Sequence, residues 1–408
     1  SMHLRRSSLA VFILAIFLAS TSLPVNSVRA DTNIRMEDVA VFHEFGGLVT
    51  FQGRILTDQD IQSVFLSIQP AGQSIRLVEI TPSAQGEILV QVDSDLLALR
   101  AFTMVFFWFE ITSGGGEKWT SDTYHFSYID NRFDWETLEA TNLQVNWHDR
   151  DRNFGQDILN VAQQALDTVP SLVQANIPNP VIIYVYRDPA DLQSALSLVQ
   201  QSWVAGHANP DLGIILLSIP DSPSQRMELE RQIPHELMHL LLYQKTVDSY
   251  TSLPAWLKEG LASIAEFYPN PDYPRALDKA IHSNGLIPLN QLCSAFPSDA
   301  SGAFLAYAQS SSFMQYLYNQ VGTPGVVNLL NAYDNGFGCE EGFKSTFGIS
   351  LTDYEMRWRQ ESLGMDVAGL AWRNFGPYIL IGLALLGFPL AVGIISIWKR
   401  RNQVPSEG

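Results

Sequence analysis

Cysteine is scarce in this sequence: Cys293 and Cys339 are the only two among 408 residues. A zinc site built from cysteine thiolates needs several of them at short spacing, so two cysteines this far apart exclude one. In an oxidising compartment the favoured interpretation is a single disulfide between them, which would constrain the unfolded chain. Two free buried thiols are the alternative, because a sequence does not give the distance between two sulfur atoms.

Positive charge is also in short supply. The chain has 25 lysines and arginines against 42 aspartates and glutamates, a formal net charge of −17 at pH 7. A surface with this balance repels phosphate backbones, which excludes nucleic acid as a partner. Apolar residues make up 46% of the chain and charged residues only 16%, so a large core can be buried and extensive disorder is excluded.

Two apolar stretches without charge lie near the ends of the chain. Residues 1–30 have the order of a secretory signal peptide, with basic residues, a short apolar run and then small residues; an uncleaved signal anchor is the alternative. Residues 376–398 are uncharged and are followed at once by three basic residues, which predicts a transmembrane helix with a cytoplasmic tail at 399–408. With a linker at 366–375, we expect a single-pass type I protein of the cell membrane, with the lipid bilayer as a partner and an extracytoplasmic catalytic part.

Between these ends the pattern of the sequence changes once. Residues 31–130 hold short runs rich in β-branched and aromatic residues, separated by turn-prone segments, which predicts an immunoglobulin-like or fibronectin-like β-sandwich. We expect a spacer or docking module, because no residue of this part suggests chemistry. Residues 131–365 mix helical segments with buried strands at 181–186 and 214–219 and then become almost entirely helical. This pattern predicts an α+β fold.

The chemistry is concentrated at residues 235–239, which read His-Glu-Leu-Met-His. On a helix, positions i and i+4 lie on one face, so His235 and His239 can bind the same tetrahedral zinc ion. Glu236 is offset by one position and can act as general base on a water whose pKa the zinc has lowered. Pro234, directly before the first histidine, either begins the helix or lies within a kinked one.

Two histidines do not complete a catalytic zinc site, which normally takes three protein ligands and a water. The metzincin pattern needs Gly and His three and six residues after the second histidine, and Leu242 and Lys245 occupy those positions. A carboxylate from a second helix is the alternative, and Glu259 supplies it in a segment that Pro254 is suited to begin. Asp248, in the connecting loop, is the rival third ligand.

The motif at 235–239, together with Leu-Pro-Ala-Trp-Leu-Lys-Glu-Gly-Leu-Ala at 253–262, resembles the gluzincin zinc peptidases and in particular the peptidase MA-like domain proteins. The resemblance covers residues 131–365 and implies a thermolysin-like fold, bound Zn²⁺ and a peptide or protein substrate. It also implies that Glu259 is the third zinc ligand. Glu266, expected on the same helix face, is implied to support the site by hydrogen bonding.

The same resemblance implies an oxyanion donor and a strand that binds substrate. Tyr307 lies in a segment similar to the family helix whose tyrosine stabilises the tetrahedral oxyanion, although Tyr316 and Tyr318 leave the register open. The segment around His207 and residues 214–219 resembles the edge strand that pairs with substrate backbone. The Gly-x-Met-Glu-Asn signature by which zinc aminopeptidases hold a free N-terminus is not in the sequence, so exopeptidase activity is not implied.

We therefore expect a membrane-anchored zinc metallopeptidase in which Glu236 is the general base and Tyr307 stabilises the oxyanion. Two other functions stay open: a membrane-tethered binding or adhesion protein that retains a non-catalytic zinc site, and a zinc hydrolase of a non-peptide substrate. An intact Glu236 argues against the first, since a structural zinc site needs no base. The ligand set does not separate the second from a peptidase.

Overall fold

The N-terminal part of the chain is built from short antiparallel strands. The computed structural model describes residues 34–199, 206–365, 377–381 and 385. Two sheets lie at the start of this range, one with the strand order β1-β2-β5 and one with the order β4-β3-β6-β7, in which β8 also pairs with β6. Their strands are β1 (Arg35–His43), β2 (Leu48–Leu56), β3 (Ile61–Pro70), β4 (Arg76–Ile80), β5 (Glu87–Asp93), β6 (Met104–Ser113), β7 (Lys118–Thr120) and β8 (Tyr124–Ser127).

Alternating side chains explain why these strands form two facing layers. In β6, every second residue from Val105 to Ile111 is buried while its neighbours are partly or fully exposed. This is the period of a strand with one face in a core. The ring of Phe51 in β2 lies 5.0 Å from the ring of Phe107 in β6, so the two sheets share one apolar interior. The immunoglobulin-like identity of this unit stays a prediction.

The second part of the chain is a mixed sheet packed against helices. Its strands are β9 (Glu136–Ala140), β10 (Leu143–Trp147), β11 (Val181–Tyr186), β12 (Gly206–Asn209) and β13 (Ile214–Ser218), in the order β12-β13-β11-β10-β9. Strands β10, β11 and β13 run parallel, and the two edge strands β9 and β12 are antiparallel to their neighbours. The helices are α1 (Arg152–Thr168), α2 (Pro170–Val173), α3 (Pro189–Leu198), α4 (Gln225–Lys245), α5 (Ala255–Ala265), α6 (Tyr273–His282), α7 (Ala300–Asp334), α8 (Cys339–Phe347) and α9 (Leu351–Glu361), with 3-10 turns at Pro210–Leu212, Tyr250–Ser252 and Leu289–Leu292. The predicted α+β fold, with strands first and helices later, is confirmed.

The central strands of this sheet face two different cores. Ile183 and Leu217 pack on the side of the helices, whereas Tyr184 and Leu216 pack on the side of the N-terminal sheets. Phe102, just before β6, stacks on Tyr184 with the ring centroids 3.5 Å apart. The N-terminal unit therefore completes the core of the mixed sheet, which a spacer on a free linker would not do.

The expected single-pass type I membrane topology is corrected by the structure. Among the described residues, no helix is both long and apolar enough to cross a bilayer, which takes about 20 predominantly apolar residues. Helix α4 carries charged side chains at intervals, and α7 has non-helical backbone at Gly322. The predicted signal peptide at 1–30, the linker at 366–375 and the tail at 399–408 lie outside the described residues, as do most residues of the predicted span at 376–398.

Candidate metal centre

Helix α4 presents the two histidines of the motif on one face. The helix begins at Gln225 and contains Pro234, so it does not start at the proline. His235 and His239 lie about one turn apart, with their ring centroids separated by 5.3 Å. The apolar side chains between and after them are buried in the core of the helical part. That burial fixes the direction in which the two imidazoles point.

Helix α5 brings a carboxylate to the same point. The Oε2 atom of Glu259 is 3.5 Å from Nε2 of His235 and 3.7 Å from Nε2 of His239. Ligand atoms about 2.0–2.1 Å from a zinc ion at tetrahedral angles lie about 3.4 Å apart, close to both separations. Among the described residues, these three form the one group whose ligand atoms could share an ion, all within 4.8 Å of one another. Asp248, the rival third ligand, is exposed and does not belong to this group.

Glu259 reaches the histidines because α5 packs closely on α7. A Cβ atom at Gly260 would lie 2.7 Å from Cβ of Met314 and 2.7 Å from the carbonyl oxygen of Ser310. Contacts this short do not occur between real Cβ atoms and their neighbours, so only glycine permits this approach of the two helices. In the Glu-Gly pair of the sequence, Glu259 supplies the candidate ligand atom and Gly260 lets its helix approach α7.

Glu266 supports His235 from beyond the end of α5. Its Oε1 atom lies 2.9 Å from Nδ1 of His235, and its side chain is only 3% exposed. The sequence predicts Glu266 on the helix face of Glu259, but α5 ends at Ala265 and the backbone of Glu266 is extended. The expected contact is present, whereas the expected helical geometry behind it is wrong.

Tyr250 is a site residue that the sequence patterns did not reveal. It lies in the 3-10 turn between α4 and α5, and its hydroxyl is 3.3 Å from Nδ1 of His239. When Nδ1–H of His239 donates a hydrogen bond to this hydroxyl, Nε2 of the same ring carries no proton and is available as a metal ligand. The ammonium of Lys258 lies 5.2 Å from the centre of the tyrosine ring. A tyrosine in the loop between two ligand helices has no fixed spacing, so no sequence motif could have identified it.

The carboxylates of Glu236, Glu259 and Glu266 give the site a strongly negative electrostatic potential. Burial would lower the pKa of His235, but hydrogen bonds to Glu259 and Glu266 and the charge of Glu236 outweigh it and raise the pKa to about 10. Burial would likewise raise the pKa of Glu259, and the charges and hydrogen bonds of His239 and His235 hold it below its ordinary value. A divalent cation is attracted by this charge and competes with protons for the histidine nitrogens.

Tyr307 is the tyrosine of α7 that the site carboxylates influence. Burial raises its pKa, and the charges of Glu259 and Glu236 raise it further, so the hydroxyl stays protonated and can donate a hydrogen bond. The hydroxyls of Tyr316 and Tyr318 are bonded to side chains outside the site, at 2.8 Å and 2.6 Å. Tyr307 therefore lies close enough to Glu259 and Glu236 to sense their charges, and its role as oxyanion donor stays a prediction.

The edge strand β12 lies beside the same site. His207 in β12 has a lowered pKa, chiefly because the residue is buried, and the charges of Glu236 and His239 also act on it. Among the described strands, β12 pairs only with β13 and ends the sheet. The outer side of such a strand can pair with an extended peptide backbone.

A disulfide lies behind the start of α5. Cys293 and Cys339 are bonded, with their Cα atoms 6.0 Å apart. The N–H of Ala255, in the first turn of α5, donates to the carbonyl of Cys293 at 2.9 Å. The indole N–H of Trp256 donates to the sulfur of Cys339 at 3.4 Å. The disulfide therefore supports the helix that carries Glu259.

Residues 161–364 match the family model of the peptidase MA superfamily. A mutant M1 zinc metallopeptidase from Deinococcus radiodurans is similar in structure, with 12% identity, a TM-score of 0.37 and coverage of 80% of this chain and 92% of that chain. A β-1,3-glucan binding domain of carbohydrate-binding module family 56 is also similar, with 10% identity, a TM-score of 0.17 and coverage of 22% of this chain and 98% of that chain. No curated protein sequence matches the chain. The family match spans 204 of the 408 residues, half of the chain, and on that ground the protein belongs to the peptidase MA superfamily.

Proposed function

We propose that this protein is a zinc metallopeptidase of the gluzincin type, with its catalytic unit at residues 131–365. The observation that supports this most is the convergence of His235, His239 and Glu259 on one point from two helices. Glu236, next to the first ligand in sequence, is buried at the same site. Three protein ligands leave a fourth position for water or substrate, as catalytic zinc sites do and structural ones do not.

The residues around the ligands have separate roles in this proposal. Zn²⁺ held by the three ligands would supply a water of lowered pKa and polarise the scissile carbonyl. Glu236 accepts the proton of the attacking water and passes it to the leaving amine. Tyr307 donates a hydrogen bond to the oxyanion that develops on the substrate. Glu266 and Tyr250 hold the two histidines in the orientation that presents Nε2 to the metal.

The substrate in this proposal is an extended peptide that pairs with the outer side of β12. Backbone pairing of this kind selects a strand-like conformation and leaves the choice of sequence to side-chain pockets. The signature by which zinc aminopeptidases hold a free N-terminus is not in the sequence, so the proposal does not include aminopeptidase activity.

The test measures zinc content and peptide cleavage by the full-length protein, with cut positions in a peptide library read by mass spectrometry. We expect one zinc ion per chain in wild type and in Glu236→Gln, because Gln at this position removes the base and no ligand. Cleavage by Glu236→Gln should fall by about 10²–10⁴-fold. His239→Ala is the control for the metal, since it should lose both zinc and cleavage.

Each possible failure points to a different part of the proposal. A folded wild-type chain without stoichiometric zinc would refute the metal site. Equal cleavage by wild type and Glu236→Gln would refute the assigned base. Bound zinc without any cleavage of peptides would favour a zinc hydrolase of a non-peptide substrate or a binding protein that keeps the metal.

A further inference from the structure

Helix α4 lacks one of its regular internal hydrogen bonds. Pro234 lies inside the helix and has no backbone N–H, so it cannot donate to the carbonyl of Glu230, four residues earlier. That carbonyl instead accepts the N–H of Phe267 at a distance of 2.9 Å. This backbone bond joins α4 to the segment that follows α5.

The residues next to this bond are the ones that meet at the metal centre. His235 follows Pro234, and Glu266 precedes Phe267. The 2.9 Å contact between Nδ1 of His235 and Oε1 of Glu266 therefore lies directly beside the backbone bond. Two adjacent bonds fix both the distance of the segment from α4 and its position along the helix.

The segment needs such an anchor because α5 has already ended. Helix α5 stops at Ala265, and Glu266 has φ −60° and ψ 132°, outside the helical region. The N–H of Glu266 donates to the carbonyl of Ser263 at 3.3 Å, which is long for a bond of this kind. The helix alone therefore holds Glu266 weakly.

We propose that Pro234 is a positioning residue of the metal centre. Because Pro234 has no N–H to donate to the carbonyl oxygen of Glu230, this oxygen stays available to accept the N–H of Phe267. The anchored segment then holds Glu266 against His235. A proline inside a helix is otherwise unfavourable, and its benefit here is an open carbonyl at the place where the segment docks. This inference rests on the zinc site of the proposed function, and it concerns metal binding because Pro234 contacts no reacting atom.

The first experiment compares Pro234→Ala with wild type in the full chain. Alanine supplies the missing N–H, which competes with Phe267 for the carbonyl. We expect faster hydrogen exchange of the Phe267 amide and a zinc dissociation constant raised about tenfold or more, measured against a competing chelator. The melting temperature of the metal-free protein should stay the same or rise, because alanine favours a helix. Pro324→Ala is the control for the loss of a proline: this residue lies two positions after the non-helical Gly322 in α7, a helix that carries none of the three ligands, and the variant should bind zinc like wild type.

A second pair of variants removes the donor. Phe267→Pro has no N–H, and the ψ of 132° at Glu266 is the conformation favoured before a proline. Phe267→Leu keeps the N–H and changes only the side chain, so it is the control. We expect Phe267→Pro to bind zinc about tenfold or more weakly than Phe267→Leu. This pair keeps the proposal testable if Pro234→Ala does not fold.

The outcomes separate this inference from the proposed function. Zinc binding by Pro234→Ala and Phe267→Pro as tight as that of their controls would overturn the positioning role. An unchanged exchange rate of the Phe267 amide in Pro234→Ala would overturn it as well, whether or not zinc binds. A wild-type chain that takes up no zinc would refute the proposed function, and the exchange rate would still decide whether the anchor exists.

Discussion

Gly260 sets how deeply the ligand helix α5 lies on α7, and alanine at this position should weaken zinc binding. The added Cβ would lie 2.7 Å from Cβ of Met314 and from the carbonyl oxygen of Ser310. Neither atom is the end of a flexible side chain, so a helix must move. Reaching the 3.4 Å at which ordinary contact begins takes a shift of about 0.7 Å.

This shift exceeds what a metal site tolerates. Ligand distances must hold to within about 0.2 Å, and the carboxylate of Glu259 moves with the helix because it directly precedes Gly260. Overpacking a core costs about 1–3 kcal/mol, and the better helix propensity of alanine offsets about 1 kcal/mol of that. We expect the free energy of unfolding of the metal-free protein to fall by about 0–2 kcal/mol. The zinc dissociation constant should rise about 10–100-fold.

Denaturant unfolding and zinc competition titration measure these two effects separately. Gly155→Ala is the control, because its Cβ would lie 2.3 Å from the ring of Trp147 in the core between α1 and β10. It should lower stability without weakening zinc binding, since neither element carries a ligand. If Gly260→Ala binds zinc as tightly as wild type, the depth of α5 does not determine the position of Glu259.

Three further predictions concern the surroundings of the metal. Tyr250→Phe removes the hydroxyl beside Nδ1 of His239 and should raise the zinc dissociation constant about tenfold; an unchanged constant would exclude an orienting role. Reduction of the Cys293–Cys339 bond should lower both the melting temperature and the zinc affinity, because both cysteines bond to the start of α5; titration with and without reductant checks this, and unchanged values would contradict it. In the metal-free protein the pKa of His235, raised from 6.5 to about 10, implies stability that is fully present below pH 6.5 and is lost as the pH rises through about 10. Melting temperatures across this range test the sign, with His235→Gln as the control that lacks this titration.

The residues of the metal centre differ in how far the sequence could predict them. His235 and His239 follow from helical periodicity alone, because both lie on one element four residues apart. Glu259 was the favoured third ligand from the residues alone, because Pro254 is suited to begin a helix around it, and the resemblance implied the same role. Its distance from the histidines could not be predicted, since spacing across a loop does not fix where a second helix packs. For Glu266 the sequence predicted the supporting role but placed the residue on a helix. The end of α5 at Ala265 has no glycine or proline to mark it, so the extended backbone at Glu266 could not be predicted.

Other features left no local signal. Strand β9 (Glu136–Ala140) is largely exposed and lacks apolar alternation, so the sequence predicts only a domain boundary there. The consequence of Pro234 depends on Phe267, more than thirty residues later, and no spacing rule connects a helix proline to a distant N–H donor. The two parts of the chain are joined by large aromatic side chains such as Phe102 and Tyr184. A sequence marks such side chains as core residues but does not say which core they enter.

The N-terminal unit contacts the turn and the strand next to β12, whereas the helices carry the candidate metal ligands. Arg100 donates two hydrogen bonds to Asp211, at 2.8 Å and 2.6 Å, in the turn between β12 and β13. Leu216 of β13, the neighbour of the edge strand, is buried in the same core as the N-terminal sheets. The metal ligands come from α4 and α5, on the opposite face of the mixed sheet. Because the helices hold the proposed ligands and the N-terminal unit holds the turn and strand next to β12, loss of that unit should disturb the proposed peptide-binding edge before it disturbs the proposed metal site.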